Sequence, residues 1–356
     1  MKNMPLAVKI SGCVLGALVF VFVLLILWLS LTEYKPSGSE MVPVTGNVSA
    51  RVSPGQPLKV ISWNIGYASL DAGQDFVLDG GKGVRPASQT IVEKNVWAIQ
   101  SFLVSQAADF VFLQEVDVNS HRSYGVDQVD YFTGSWKGTS AFALNYRCKF
   151  VPYPFPRFLG RVESGLVTLG AFYSGRQAER IALPSPFRWP VRAAQLKRCL
   201  LVQRFPIQNG GRELVLVNLH MEAYDSGEGK EAQTRILADF LKAEYEKGNY
   251  CVAGGDFNQL FPGAQAHFPL TDTEHFVPGT LEENLLGSDW TLAADITSPT
   301  ARLLDKPYTG GRDGVQFYVI DGFLVSPNVR VDSIQTVDLD FANSDHNPVV
   351  LTFTLP

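Results

Sequence analysis

Two stretches of the sequence decide the fold: YCVAGGDFN at residues 250–258 and SDHNPVVLTF at residues 344–353. In both, polar side chains directly adjoin a run of apolar residues typical of a buried β-strand. Asp256 closes the first stretch, and Asp345 and His346 open the second. A single carboxylate or imidazole at a strand end is more often solvated than functional, so the pattern gains weight only if it recurs.

The pattern does recur along the chain. Asn64 follows the apolar run VISW, Glu115 follows FVFLQ, His220 follows LVLVNL, and Asp321 interrupts FYVIDGFLV. Carboxylates and carboxamides supply the oxygen ligands that a hard divalent cation prefers, and imidazoles transfer protons near neutral pH. Strand ends that share this one chemical theme therefore indicate a site for a divalent cation and for proton transfer.

The rest of residues 58–356 alternates short apolar runs with amphipathic stretches and loops rich in Gly and Pro, without an internal repeat. Two stretches have the periodicity of helices, one beginning near Thr90 and one over residues 230–247. This alternation predicts an α/β domain whose helices cover the faces of a sheet. Long loops, which often select the substrate, cover residues 66–87, 119–140, 146–163 and 259–313.

The N-terminal segment ISGCVLGALVFVFVLLILWLSL, residues 10–31, is 22 residues long and carries no charge. A helix of this length crosses a hydrocarbon core of about 30 Å. A cleaved signal peptide is the alternative, but its apolar core is typically about 7–15 residues and ends in a small-residue cleavage site. This run is longer and ends in Trp28, Leu29 and Leu31. The sequence therefore predicts a retained, single-pass transmembrane helix.

The charges that flank this segment predict its orientation. Two lysines precede the helix, whereas the two glutamates and one lysine just after it nearly cancel. The positive-inside rule then places residues 1–9 in the cytoplasm and the domain that follows the helix outside the cytoplasm. Residues 32–57 are rich in Pro, Gly, Ser and Val without periodicity, and we expect them to form a flexible linker.

The charge balance and the cysteines narrow the function classes. The chain carries 30 Lys and Arg residues against 35 Asp and Glu residues, a formal net charge of −5. Nucleic-acid-binding proteins usually show a basic excess, so a nucleic-acid partner is disfavoured without being excluded. The four cysteines form no cluster with zinc spacing. Cys148 and Cys199 are candidates for a disulfide if the domain lies in an oxidising compartment.

The ordered strand-end elements resemble the signature of the endonuclease/exonuclease/phosphatase superfamily. They are WN at 63–64, QE at 114–115, NLH at 218–220, GDFN at 255–258 and SDHNPV at 344–349. That superfamily includes pancreatic deoxyribonuclease, abasic-site endonucleases, neutral sphingomyelinases and inositol polyphosphate phosphatases. The resemblance covers residues 58–356 as one catalytic domain. It implies a four-layer α/β/β/α sandwich of two mixed sheets with an active site at one rim.

The resemblance also implies a site for Mg²⁺, with Mn²⁺ as a substitute. Glu115 resembles the principal metal carboxylate of the family, Asn64 a side chain that supports the metal or a phosphate oxygen, and Asp345 a position next to the metal. Mg²⁺ suits such a site because it prefers oxygen ligands and keeps waters while it bridges to a substrate phosphate.

The reaction that the resemblance implies is direct attack of water on phosphorus. Asp256 resembles the residue that orients or deprotonates the water, and Asn258 the residue that holds a non-bridging phosphate oxygen. His346 resembles a contact of the scissile phosphate or of the water, with Asp321 fixing its tautomer. His220 resembles the second imidazole of the deoxyribonuclease and sphingomyelinase branches, a candidate acid for the leaving group.

Arg122 lies outside the signature, seven residues after Glu115. This arginine could bind a phosphate at the rim of the site, or it could be an ordinary surface arginine. Both interpretations stay open. The resemblance extends to uncharacterised bacterial members that share the segments NIGY, DGG and RSY, present here at residues 64–67, 79–81 and 122–124.

Three functions stay open from the sequence. The first is hydrolysis of a lipid-headgroup phosphodiester or another phosphate ester at the membrane surface, which the anchor, the acidic balance and His220 favour. The second is an extracytoplasmic nuclease, for which the sequence shows no basic cluster with aromatic residues. The third is a membrane-tethered binding protein without turnover, against which the full set of polar side chains counts. The oligomeric state stays open.

Overall fold

The first of two mixed sheets contains the strand that ends in GGD. The computed structural model describes residues 6–208, 210–225 and 227–356. In spatial order, the strands of this sheet are β10 (Thr291–Ala293), β13 (Asp321–Val325), β9 (Tyr250–Asp256), β8 (Glu213–His220), β7 (Cys199–Pro206), β6 (Gln177–Ala182) and β1 (Ser39–Thr45). Strands β8 and β9 run parallel, so their carboxyl ends lie at the same edge.

The second sheet contains the strands that carry the WN, QE and NPV elements. In spatial order they are β1, β4 (Thr139–Val151), β5 (Gly160–Gly170), β3 (Phe110–Asp117), β2 (Pro57–Asn64), β15 (Val349–Thr354) and β14 (Arg330–Thr336). Strands β2 and β3 run parallel. A separate short pair is formed by β11 (Ala301–Arg302) and β12 (Phe317–Tyr318).

Strand β1 joins the two sheets. It pairs antiparallel with β6 in the first sheet and with β4 in the second. The prediction of a flexible linker over residues 32–57 is therefore wrong for residues 39–45. Every second side chain of this strand is exposed, and none is fully buried. The partner strands that hold β1 in place lie far away in the chain, so the local sequence alone does not predict this strand.

Apolar side chains between the sheets form a continuous core, in which Phe112 of the second sheet faces Phe323 of the first. Helices cover the outer faces. Helix α2 (Gln89–Gln106) and helix α3 (Gln128–Ser135) pack on the second sheet, and helix α4 (Glu228–Glu246) packs on the first. The four-layer α/β/β/α sandwich is confirmed, as are the two predicted helices, which are α2 and α4.

Helix α1 (Leu6–Leu31) precedes the sandwich and is long and apolar enough to cross a membrane. Its last turns contact the domain. Leu29 is buried in the same apolar cluster as Tyr146 of β4. The indole N–H of Trp189 donates to the hydroxyl of Ser30 at 2.8 Å. The helix is therefore docked on the α/β sandwich at its carboxyl end.

An ion-pair cluster fixes the residues that follow α1. The carboxylate of Glu33 accepts hydrogen bonds from Arg192 Nε and Lys197 Nζ, both at 3.0 Å. Its side chain is only 2% exposed. A buried carboxylate needs such partners, because an unpaired buried charge is strongly destabilising.

The four cysteines, all within the described residues, are free thiols. Cys148 and Cys199 are among them, so the disulfide considered for this pair is not formed, and both thiols are buried. Burial raises the pKa of Cys199 to about 11. That thiol is therefore protonated and unreactive at neutral pH.

Candidate active site

The strand register brings three predicted side chains abreast at one edge of the first sheet. His220 at the end of β8 pairs with Asp256 at the end of β9, and Asp256 pairs with Asp321 at the start of β13. Neighbouring residues in register project to the same face of a sheet. Two strand ends and one strand start therefore meet at a single rim.

The second sheet contributes Asn64 and Glu115 to the same rim. Asn64, the last residue of β2, pairs with Gln114 of β3. The register between β3 and β5 shifts between Leu113 and Val116, which leaves Glu115 in a bulge with φ of +56°. A left-handed backbone is costly for a residue with a side chain, and bulges commonly re-aim a side chain beside an active site. The Glu115 carboxylate consequently reaches within 3.4 Å of Asn64 Nδ2.

The Asp256 carboxylate lies at the centre of the site. Its Oδ2 accepts a hydrogen bond from Asn64 Nδ2 at 3.1 Å and lies 3.3 Å from His220 Nε2. Its Oδ1 accepts from the backbone N–H of Asn258 at 2.8 Å. Burial, and then the nearby Asp321 carboxylate, raise the pKa of Asp256 above the usual value of a carboxyl. The raised pKa makes Asp256 a better proton acceptor than an exposed aspartate.

His346 is held by a carboxylate partner. Its Nδ1 lies 2.8 Å from Asp321 Oδ2, and its backbone carbonyl accepts a hydrogen bond from the Trp63 indole at 2.8 Å. Burial alone would lower the pKa of His346, but Asp321 reverses the effect and the pKa lies well above its usual value. His346 is therefore an imidazolium, with Nδ1–H directed at Asp321 and Nε2 facing Asn64 and Asp256 at 3.5 and 3.9 Å.

His220 is in the opposite charge state. Burial, and then the nearby Arg198, lower the pKa of His220 well below its usual value, so the imidazole is neutral. Its Nε2 faces Asp256, and its buried Nδ1 has no hydrogen-bond partner among the described residues. The role of acid for the leaving group stays a prediction for His220, and His346 has the charge state that suits an acid better.

Asp345 adds another carboxylate beside Glu115. Burial and Glu115 raise the pKa of Asp345 to about 6, although the charge of His346 opposes the shift. The Glu115 side chain is 25% exposed, so its oxygens can reach a ligand in the cleft. Together with Asn64, these groups form an oxygen-rich set that contains two carboxylates, the kind of ligand that a hard divalent cation prefers. The residues present fit such a cation.

A tighter group of potential ligands consists of Asp256, Asp321 and His346, with one donor atom of each within 4.8 Å of the others. The hydrogen bond between Asp321 and His346 already occupies two of these atoms. Magnesium also prefers oxygen ligands to imidazole. The three side chains therefore form a hydrogen-bonded group in which few ligand atoms stay available to a cation.

Arg122 is buried rather than on the surface, so the interpretation as an ordinary surface arginine is wrong. Its guanidinium forms a two-point ion pair with Asp117 at 3.2 and 2.9 Å and stacks on the Tyr67 ring at 3.6 Å. It lines the same cleft as Glu115. Because Asp117 engages only two of its five N–H groups, the others can bind a phosphate.

The site occupies the inner end of a cleft of about 700 Å³. The outer end is apolar and is lined by Phe22, Leu25 and Leu29 of α1, and by Tyr146 and Leu159 of the domain. The sequence predicts α1 only as an anchor. Its contribution to the wall of the cleft depends on how the helix packs on the domain, which no local pattern reveals.

Sequence reasoning assigned no role to two polar side chains of the cleft. The Tyr224 hydroxyl donates to Asp79 Oδ1 at 2.6 Å, and both residues line the cleft. Burial raises the pKa of Asp79 to about 6, although the hydrogen bond from Tyr224 opposes the shift. Asp79 begins the DGG segment at residues 79–81, so this motif is a sequence signal that could have identified Asp79. Tyr224 lies in a loop without any recognisable motif.

Comparisons with known proteins agree with this geometry. The chain matches the sequence model of the endonuclease/exonuclease/phosphatase family over residues 61–346. The structure of an endonuclease/exonuclease/phosphatase from Beutenbergia cavernae DSM 12333 superposes with a TM-score of 0.54 at 20% identity, covering 84% of this chain and 72% of that chain. The structure of the human Nocturnin catalytic domain with bound sulfate anion superposes with a TM-score of 0.51 at 16% identity, covering 89% of this chain and 97% of that chain.

A third solved structure, D. rerio TDP2 complexed with single strand DNA product, gives a TM-score of 0.50 at 17% identity and covers 84% of this chain and 99% of that chain. At these identities the structures establish the fold alone. A comparison with curated protein sequences finds no match.

The two-sheet sandwich and its rim of carboxylates, carboxamides and imidazoles define a metal-dependent hydrolase of phosphoester bonds. More specifically, this chain belongs to the endonuclease/exonuclease/phosphatase family, because the family model matches it over most of its length. The resemblance inferred from the WN, QE, NLH, GDFN and SDHNPV elements is thereby confirmed. Membership of a family of hydrolases weighs against the hypothesis of a binding protein without turnover.

Proposed function

We propose that this protein is a Mg²⁺-dependent phosphoesterase, anchored in a membrane by α1, whose substrate is a lipid-headgroup phosphodiester at the membrane surface. The cleft is the observation that carries the proposal. Its inner end holds the polar side chains, and its outer end is lined by Leu25 and Leu29 of a helix that is apolar enough to span a membrane. An amphiphile with a phosphodiester headgroup matches both ends.

Asn64, Glu115 and Asp345 would hold the Mg²⁺, with Mn²⁺ as a substitute. When bound, the cation polarises a phosphoryl oxygen and offsets the negative charge that accumulates during attack. The position of Asp345 supports this assignment, because burial and then the nearby Glu115 carboxylate raise its pKa to about 6, and a bound cation would favour its charged form.

Asp256 would orient the attacking water and accept its proton, since its raised pKa suits a general base near neutral pH. His346, fixed by Asp321, would direct its Nε2–H to the scissile phosphate. Asn258 Nδ2 donates one hydrogen bond to the carbonyl of Met221 at 2.9 Å, which orients the amide. Its second N–H would bind a non-bridging phosphate oxygen.

The water oxygen would form the new bond to phosphorus while the bond to the leaving oxygen breaks, with inversion and without a covalent intermediate. The charged imidazole of His346 would give its Nε2 proton to the leaving oxygen as that bond breaks. The neutral His220, whose Nε2 lies 3.3 Å from Asp256, would hold that carboxylate in place. Arg122 would bind another non-bridging oxygen with the N–H groups that Asp117 leaves free.

The catalytic domain would lie on the extracytoplasmic side, because Lys2 and Lys9 precede the uncharged segment of residues 10–31 and favour a cytoplasmic N-terminus. Exposed aromatic side chains support a position at the bilayer surface. Trp189, which contacts α1 through Ser30, is 58% exposed, and Tyr153 at the cleft is 48% exposed. Trp and Tyr are enriched at the interface between bilayer and water.

A nuclease is the second candidate, and a groove beside the cleft favours it. The groove has a volume of about 1010 Å³ and is lined by Arg85, Arg157 and Arg161 together with the aromatic Phe150 and Phe158. The expectation that the chain has no basic cluster with aromatic residues is therefore wrong. Arg85 lies in the loop before α2, whereas Arg157 and Arg161 lie just before β5 and at its start, so only the fold brings the first together with the other two. Arginines beside aromatic rings are suited to single-stranded nucleic acid.

Turnover by the full chain in lipid nanodiscs tests the proposal. The substrates are phospholipids, sphingomyelin, inositol phosphates, single-stranded and double-stranded DNA, RNA and bis-p-nitrophenyl phosphate, each with Mg²⁺ and with EDTA. We expect Mg²⁺-dependent hydrolysis of a lipid diester and of the small ester. Turnover confined to nucleic acid would overturn the lipid assignment and support the nuclease.

An Arg85→Ala/Arg157→Ala variant sharpens the comparison of the two candidates. For a lipid hydrolase, the double substitution should leave turnover of the small ester unchanged. For a nuclease, it should lower turnover of single-stranded DNA while turnover of the small ester persists. The arginines lie outside the rim of carboxylates, so the small ester reports the integrity of the catalytic site.

A further inference from the structure

We propose that α1 forms the tail-binding wall of the catalytic cleft, so that the enzyme takes phosphodiesters with a long apolar chain directly from the membrane leaflet. The inference rests on the proposed function for the identity of the reactive group. It goes further in assigning a substrate-selecting role to a segment that would otherwise be only an anchor. Four observations support it.

One face of α1 is directed into the cleft. Phe22, Leu25 and Leu29 follow the spacing of residues on one side of a helix, and all three line the cleft. Leu24 and Leu27, on the other side of the same turns, do not line it. The two faces differ in this respect and not in exposure, since Phe22 is itself 61% exposed. The helix therefore has a cleft face and a lipid face over the same length.

The carboxyl end of α1 is held in place. The buried Glu33 carboxylate bonds to Arg192 and Lys197, and Trp189 bonds to Ser30. Strand β1, which begins at Ser39, then fixes the chain between the two sheets. The helix cannot swing away from the cleft without breaking these contacts. Its side chains therefore stay in the wall as long as these contacts hold.

The cleft face lies at membrane depth. Phe22 precedes Leu31, the end of the helix, by nine residues. At a rise of 1.5 Å per residue this is about 13 Å, close to half of the roughly 30 Å hydrocarbon core. If α1 spans the bilayer to its end, the apolar end of the cleft is level with the acyl chains of the adjoining leaflet.

The chemistry of the cleft changes along its length. Next to α1 the wall is completed by Tyr146, Val151 and Leu159, which belong to the same apolar cluster as Leu29. At the inner end the wall consists of charged and amide groups. Each methylene buried on such an apolar wall strengthens binding by about fourfold. An apolar chain and a phosphodiester joined in one molecule match this gradient.

The test uses the full chain in nanodiscs and p-nitrophenyl alkyl phosphodiesters with methyl, butyl or octyl chains, kept monomeric. We expect kcat/KM to rise from methyl to octyl by on the order of 10- to 100-fold, which corresponds to two or three buried methylenes. Phe22→Ala/Leu25→Ala should lower the octyl-to-methyl ratio toward one. The matched control Leu24→Ala/Leu27→Ala, on the lipid face of the same turns, should keep the ratio of the wild type.

A ratio near one in the wild type would overturn the inference, and so would an equal fall of the ratio in both double variants. Binding of octylphosphonate relative to methylphosphonate, measured by calorimetry with the same three proteins, requires no turnover. If no ester is hydrolysed, the proposed function fails, whereas the calorimetric preference for the octyl chain and its loss in Phe22→Ala/Leu25→Ala still decide whether α1 binds the tail.

Discussion

The two ends of the cleft are built in different ways. At the inner end, buried polar groups hold one another, as Asp256 does with Asn64 and His220, and Asp321 with His346. At the outer end, apolar side chains of α1 pack on the domain, and the buried Glu33 carboxylate adds an ion pair. The function of the inner end depends on the distances between its polar atoms, whereas binding at the outer end depends on the area and shape of the apolar wall.

This difference predicts how substitutions at each end behave. Buried polar networks lose much of their effect when one member changes, because its partners are left unsatisfied. Apolar walls respond gradually, in proportion to the area removed. Substitutions at the inner end should therefore affect every substrate alike, and those at the outer end should affect only substrates with a tail or the docking of α1.

The largest expected effect comes from Asp256→Asn. The substitution keeps the size of the side chain but removes the proton acceptor, so kcat for bis-p-nitrophenyl phosphate should fall by about a thousandfold. Thermal unfolding in parallel checks that the fold persists. Asp239→Asn, an exposed position on α4, is the matched control and should have the activity of the wild type. A fall below tenfold would mean that Asp256 does not act on the water.

Asp321→Asn should have a smaller effect. The carboxylate acts through His346, so its loss changes the orientation and charge of the imidazole but leaves the metal side intact. We expect kcat to fall by about 10- to 100-fold, as for other partners that orient an active-site imidazole. The ratio of octyl to methyl rates should not change. A changed ratio would show that the two ends of the cleft are coupled.

The smallest expected effect is at the docking of α1. Burial alone would raise the pKa of Glu33, but hydrogen bonds from Lys197 and Arg192 lower it below 4.5. A carboxyl whose pKa is lowered by folding stabilises the fold above its unfolded pKa, and this contribution is lost as the pH falls through the lowered value. Amide hydrogen exchange of residues 28–36 should therefore accelerate below about pH 4.5 in the wild type.

At neutral pH, Glu33→Gln should lower the free energy of local opening of these residues by about 1.5–3 kcal/mol, the range for hydrogen bonds to a charged group. Hydrolysis of the methyl ester should be unaffected. Glu246→Gln, an exposed position on α4, serves as the control for exchange. Equal exchange in the Glu33 variant and the wild type would show that the ion pair does not hold the helix.

The inner end could be predicted from the sequence because its residues sit at the ends of apolar strands with a known order of motifs. Asp256 and His346 were found in this way, and so was the four-layer fold. The bulge at Glu115 could not be predicted, since it depends on the register between β3 and β5. The metal and catalytic roles themselves stay predictions until activity is measured.

The outer end could not be predicted for a related reason. The apolar character of α1 is plain in the sequence, but its cleft face and its lipid face have the same composition. Only contacts with distant loops, such as Trp189 with Ser30, distinguish the two faces. Strand β1 could not be predicted from its sequence either, because none of its side chains is fully buried.

The position of β1 between the sheets has a consequence for any soluble form of the enzyme. Without residues 39–45, β4 and β6 would each present an unpaired edge of backbone N–H and C=O groups. Such edges pair readily with other chains and lead to aggregation. A shedding protease, or an engineer truncating the anchor, must therefore cut before Ser39 to release a soluble domain. A cut a few residues later would release a domain prone to self-association.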